Sequence, residues 1–225
     1  MPVVVAAVWA LAQDEPRTFV AVVVDVSPTA SPGTRCDDVR AIAARAVAAS
    51  VGELRVALFA TGDRSTANEP VLAWKGGLDG TKHALEGAAD DDVRRSGFID
   101  DVVAACTALK GRNESPIFHG LQTAVAAVMA EGCDRPETHC RVFVRTDGIE
   151  EADGVVVKAL RGSPTSAPRV DNAFVDVEFC GLGSRTVGKK TKTPDAEHVA
   201  AAFRAELTAP SRVRFSPSCS AFAAP

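Results

Sequence analysis

The segment from Thr18 to Asp25, TFVAVVVD, constrains the fold more than any other part of the chain. An uninterrupted Val-rich run has no polar face to turn toward water. It predicts a strand buried on both sides, as in a parallel sheet covered by helices on each face. The rest of the chain is consistent with that expectation. Cys36 to Ser50 carries Val39, Ile42, Ala43, Ala46 and Val47 at helical spacing. Asp37 and Asp38 lie in its first turn, where the helix dipole favours acids. Leu54 to Ala60 predicts a second strand, and Val71 to Trp74 a short third one ended by Gly76-Gly77. Residues 76 to 97 are polar and Gly-rich, with the acidic run Asp90-Asp91-Asp92. They read as a solvated loop with a helical piece around His83 to Ala88.

Helices are predicted over Phe98 to Lys110 and Ile117 to Glu131, the latter with Pro116 in its first turn. Arg141 to Arg145 is a strand ending at Thr146-Asp147-Gly148. Val155 to Leu160 is a short helix, and Ala173 to Cys180 a strand running into Gly181-Leu182-Gly183. Asp195 to Leu207 is a helix capped by Thr193, and Val213 to Phe215 a last short strand. Strand and helix alternate throughout, which predicts a doubly wound α/β fold. A mostly parallel sheet would be flanked by helices in a three-layer sandwich. With no internal repeat and no linker, residues 17–219 read as a single domain.

A chain of 225 residues can build one such core. Its 46% hydrophobic and 24% charged content exclude wholesale disorder. A net charge of −4 argues against a nucleic-acid partner. No apolar run reaches the ~20 residues that span a bilayer. With no Tyr, 10 Phe and 2 Trp, the core must rest mainly on Val, Ala and Leu.

Val3 to Ala12, VVVAAVWALA, has the length of a signal-peptide apolar segment, and Ala10-Leu11-Ala12 resembles a cleavage site. Residues 1–12 are therefore a possible signal peptide. No Lys or Arg lies between Met1 and Val3, so either the signal begins upstream or the run is structural. The six cysteines favour export, to a secreted or periplasmic location. No CxxC occurs, and six cysteines allow about 15 pairings. Cys133 and Cys140 bracket a polar, Pro-containing loop and suggest a local disulfide. His139 beside Cys140 makes a weaker case for a metal there.

Ligands of doubly wound folds sit at the carboxyl ends of the strands. There the chain places Asp25, Ser27 and Thr29, then Ser115 at a helix entry, then Asp147. All are oxygen donors, with no imidazole or thiolate, and such a set selects Mg²⁺, Mn²⁺ or Ca²⁺. Two acids with neutral hydroxyls leave the ion incompletely neutralised. It would then favour an outside carboxylate as its last ligand.

In these motifs the chain resembles the von Willebrand factor type A domain, over roughly residues 17 to 216. That family's metal-ion-dependent adhesion site uses an Asp-x-Ser-x-Ser loop, a Thr from a later loop and the Asp of a Thr-Asp-Gly segment. Here Thr29 stands for Ser, Ser115 for Thr, and Pro28 for a frequent Gly, which stiffens the loop; Ser31 is an alternative hydroxyl. The resemblance implies that Ser27 and Thr29 bind the metal directly and that Asp25 and Asp147 often act through water. Ser115 would join or leave with conformation. It also implies that Cys180 pairs with Cys219, past the ends of neighbouring strands. Cys36 and Cys106 then remain. The implied function is an exported, non-enzymatic adhesion module that captures a protein partner through a carboxylate.

The alternative is a Mg²⁺-dependent phosphatase of the haloacid dehalogenase type with Asp25 as nucleophile. Ser27 stands where that mechanism wants a proton donor, and Ser cannot serve at neutral pH. His83, His119, His139 and His198 show no triad arrangement. Trp74 reads as core or edge packing, and Lys189-Lys190-x-Lys192 as a solvated loop.

Overall fold

The computed structural model describes residues 16–27, 34–50, 52–61, 72–79, 88–110, 116–148, 170–182 and 196–219, with 72–79 and 88–91 as backbone only. The expected helix at Val155 to Leu160, the Thr193 cap and the Lys189 loop lie outside these residues. Among these residues, six strands and four α-helices follow in chain order: β1 (Arg17–Asp25), α1 (Arg35–Ala49), β2 (Glu53–Thr61), β3 (Leu72–Asp79), α2 (Ala88–Thr107), α3 (Ile117–Ala130), β4 (Thr138–Arg145), β5 (Asp176–Cys180), α4 (Ala196–Glu206) and β6 (Val213–Ser216). The sheet order is β3-β2-β1-β4-β5-β6. Five strands are parallel, and β3 joins β2 antiparallel at the edge. This is the expected doubly wound, three-layer sandwich.

The Val-rich run forms the centre of the sheet. Phe19, Ala21 and Val23 face one core with α3 and α4, while Val20, Val22 and Val24 face the other with α1 and α2. Residues 20 to 24 have no exposed surface, so both faces are sealed from water. Val142 and Val144 of β4 join the first core and Phe143 joins the second. Phe179 stacks on Phe215 at 5.0 Å and meets Phe203 of α4 at 4.5 Å. Burying such side chains contributes about 1.5–3 kcal/mol each before entropy is charged against it.

Three expectations need correction. β3 does not stop at Gly76-Gly77 but runs to Asp79. Leu54 pairs with Leu78 and Arg55 with Gly76, so Gly77 is an extra residue, a bulge that a sheet edge tolerates. The second correction concerns α2, which begins at Ala88, so Asp90-Asp91-Asp92 and residues up to 97 are helical. Acidic residues suit a helix's first turn. Third, β4 begins at Thr138, inside what read as a loop, and pairs with β1 from Arg17↔Thr138 onward. Smaller shifts occur at Pro116, which precedes α3 as its N-cap, and at Ala173-Phe174, which form a turn before β5.

All six cysteines are bridged: Cys36–Cys106, Cys133–Cys140 and Cys180–Cys219. The local pair and the strand-end pair are those expected, and the remaining two join α1 to α2. Among the described residues, no helix is long and apolar enough to cross a membrane.

Candidate metal site at the carboxyl end of the sheet

β1 ends at Asp25 and β4 at Arg145, on adjacent parallel strands, so their following loops emerge side by side. Asp25 is fully buried, and Ser27, Thr146 and Asp147 are each within 2% of full burial. The Asp25 carboxylate joins the two loops. Its Oδ1 accepts the Ser27 backbone N–H at 2.9 Å, fixing the turn after β1. Its Oδ2 accepts the Thr146 hydroxyl at 2.8 Å. The Thr146 Oγ1 in turn accepts the Gly148 N–H at 3.0 Å. Each carboxylate oxygen has a second lone pair, so these bonds leave Asp25 with further acceptor capacity.

Gly148 shapes the loop that carries Asp147. Its φ is +87°, a conformation that side chains disfavour. A Cβ there would lie 2.5 Å from Val199 Cγ1, so α4 packs against the bare backbone. The Thr-Asp-Gly segment thus has three jobs: Thr146 braces Asp25, Asp147 supplies a buried carboxylate, and Gly148 admits α4.

A second layer of charge surrounds this end. Arg145 is 2% exposed and donates from Nε to Asp38 Oδ2 at 3.0 Å and from Nη2 to Thr34 Oγ1 at 3.4 Å. Arg35 donates from Nη2 to the Leu109 carbonyl at 3.3 Å. Burial pushes the Arg35 pKa down, the neighbouring Arg145 charge pushes it further down, and Asp25 opposes them. Among the described residues, the carboxylates of Asp25, Asp38 and Asp147 thus stand near the guanidinium groups of Arg35 and Arg145.

Of the residues expected to bind metal, Asp25, Ser27 and Asp147 are brought to this one end of the sheet. Thr29 and Ser115 lie outside the described residues. Among the described residues, no three of His, Cys, Asp and Glu converge on a common point. The candidate set is instead two carboxylates supplemented by hydroxyls, and its chemistry fits a hard divalent cation. Thr146 appeared in the sequence only as part of a tripeptide, and its hydroxyl is the direct partner of Asp25. Asp38 read as a dipole acid and also neutralises Arg145. One signal could have found Arg145: a charge that directly follows the apolar Val142-Phe143-Val144 at the end of a buried strand requires a partner.

No protein-family model and no curated protein matches this chain. Solved structures overlay it at low identity. The pilus adhesin SpaC from Lactobacillus rhamnosus GG matches at 13% identity and TM-score 0.46, over 94% of this chain and 29% of that one. The conserved hypothetical protein BatB from Bacteroides thetaiotaomicron matches at 13% identity and TM-score 0.42, over 92% and 93% of the two chains. Manganese-loaded Plasmodium vivax TRAP matches at 14% identity and TM-score 0.44, over 92% and 71%. This chain thus spans less than a third of the SpaC chain.

Proposed function

We propose that this chain is a von Willebrand factor type A-like module. It would bind a divalent cation and capture a protein partner through a carboxylate. The observation that carries the reading is the Asp25–Thr146 hydrogen bond at 2.8 Å, which locks two strand-end loops together beside the buried Asp147. Ser27, Asp25 and Asp147 would hold the ion, with Thr29 and Ser115 as further hydroxyl donors. When bound, the ion supplies a Lewis-acidic positive charge that an external carboxylate can complete. The electrostatics support capture of an anionic group. Asp25 and Asp147 together carry two negative charges, which a dication balances, so an external carboxylate can still approach it. The Ser27 backbone N–H and the Thr146 hydroxyl both donate to Asp25 and hold its carboxylate in a fixed orientation between the two loops.

The proposal is a binding module and not an enzyme. Its support is Ser27, which follows Asp25 at the position where a phosphatase of the alternative type needs a proton donor. Export to an oxidising compartment is part of the same proposal, supported by the three disulfides. The test is calorimetric titration of the wild type and Asp25→Ala with Mg²⁺ and Mn²⁺. Saturable binding by the wild type and its loss in the variant are expected. Equal heats in both proteins would refute the site. Mg²⁺-dependent hydrolysis of a phosphomonoester, abolished by Asp25→Asn, would replace the binding module with the enzyme.

A further inference from the structure

The opposite pole of the sheet carries an open cleft of about 330 Å³ where β4 and β5 begin. The Cys133–Cys140 disulfide forms part of its wall. Arg135, His139, Arg141 and Arg212 reach this cleft, against the acids Asp134 and Asp176. Asp176 is already engaged, bonded to Arg212 at 3.1 Å. Arg141 is the register partner of Asp176 on the adjacent strand. Among the described residues, the guanidinium groups of Arg135 and Arg141 enter no ion pair or hydrogen bond. Two cationic forks therefore face one cleft with Asp134 as the remaining counter-charge.

This concentration of positive charge is local. The whole chain has 29 acidic and 25 basic residues, so a generally basic surface does not explain it. Arg135 is also positioned: a Cβ on Gly132 would lie 3.2 Å from its Nε, so the side chain folds over the bare glycine backbone. Beside these groups stands Phe174, 48% exposed. An exposed ring next to unpaired guanidinium groups offers a stacking face and an anion clamp together. The volume suits a small ligand, at the lower end of the ~300–1,000 Å³ range of such sites.

We propose that this cleft binds a small organic anion, a phosphate or sulfate monoester carried on an aromatic ring. The anionic ester group sits between Arg135 and Arg141, where bidentate hydrogen bonds favour tetrahedral oxyanions. The ring lies on Phe174. The site is independent of the metal end, since it uses the opposite ends of the strands.

The test is calorimetry in metal-free buffer on the full chain, with phenyl phosphate, phenyl sulfate and inorganic phosphate as probes. Wild type and Asp25→Ala should bind the two phenyl esters alike. Arg135→Gln and Arg141→Gln should each weaken that binding by about tenfold or more. Phe174→Ala should weaken the phenyl esters by about fivefold and leave inorganic phosphate unchanged. Circular dichroism on each variant confirms that it is folded. The proposal is overturned if neither ester binds below about 10 mM. It is also overturned if the folded Arg135 and Arg141 variants bind like wild type. Inorganic phosphate binding as tightly as the esters, with no effect of Phe174→Ala, would mean a site for the free anion and would overturn the organic ligand.

Discussion

Single residues at the carboxyl end of the sheet divide into those that carry charge and those that hold it in place. Arg145 is a buried cation, and Asp38 is its ion-pair partner at 3.0 Å. Asp38→Ala removes a charge-assisted hydrogen bond from that buried cation and should cost about 1.5–3 kcal/mol in chemical denaturation. Arg40→Ala removes an ion pair whose partners are 51% and 57% exposed, and should cost less than about 1 kcal/mol. Arg35 ties α1 to the Leu109 carbonyl and also sets a positive charge near Asp25. Its charge is felt by Asp25 and competes with any cation placed there. Arg35→Gln should therefore tighten Mg²⁺ binding about three- to tenfold by calorimetry; unchanged or weaker binding would remove Arg35 from the electrostatics of the site. The sequence made Asp25, Ser27 and Asp147 legible because each lies at a strand end within a short motif. It could not reveal the Arg145–Asp38 pair, whose members lie 107 residues apart, since only the folded sheet brings α1 over the end of β4.

Among the elements, the buried ones were the readable ones. β1, β2 and the second half of β4 are runs of apolar residues, and α1 keeps its helical period because one face meets the core. α2 was half hidden for the converse reason. Phe98, Val102 and Cys106 are buried at four-residue spacing, but Asp92, Val93, Arg94, Ser96 and Gly97 are exposed. A helical segment standing in water leaves no hydrophobic period to detect. β3 was cut short because Gly76-Gly77 reads as a terminator, when Gly77 is a bulge within an edge strand. The contact between α4 and the loop after β4 gives a prediction at this scale. Gly148→Ala combines a φ of +87° with a Cβ 2.5 Å from Val199. It should destabilise the fold by about 2–4 kcal/mol and also weaken cation binding, because Asp147 is the preceding residue. A variant with unchanged stability would mean that the loop can leave α4 freely.

Across the whole molecule, one sheet separates two cores and exposes two chemically different ends. The carboxyl end gathers buried acids, hydroxyls and their counter-charges, and the amino end gathers arginines around a cleft, with Arg135 and Arg141 unpaired among the described residues. The disulfides hold the periphery of this arrangement. Cys36–Cys106 closes a 70-residue separation and ties α1, which bears Arg35 and Asp38, to the end of α2, whereas Cys133–Cys140 closes only 7. Chain-entropy reasoning gives about 4 kcal/mol for the longer loop and about 2 kcal/mol for the shorter. The Cys36→Ser/Cys106→Ser double variant should therefore lower Tm more than the Cys133→Ser/Cys140→Ser variant, and the reverse order would show that loop closure does not govern their contribution. The decisive measurement for the cation site is Mn²⁺-induced broadening of backbone amide resonances in the wild type. Strongest broadening is expected at residues 25–27 and 146–148, and it should vanish in Asp25→Ala. Broadening centred instead on the acidic first turn of α2, with residues 146–148 left sharp, would contradict the assignment of the metal to the carboxyl end of the sheet.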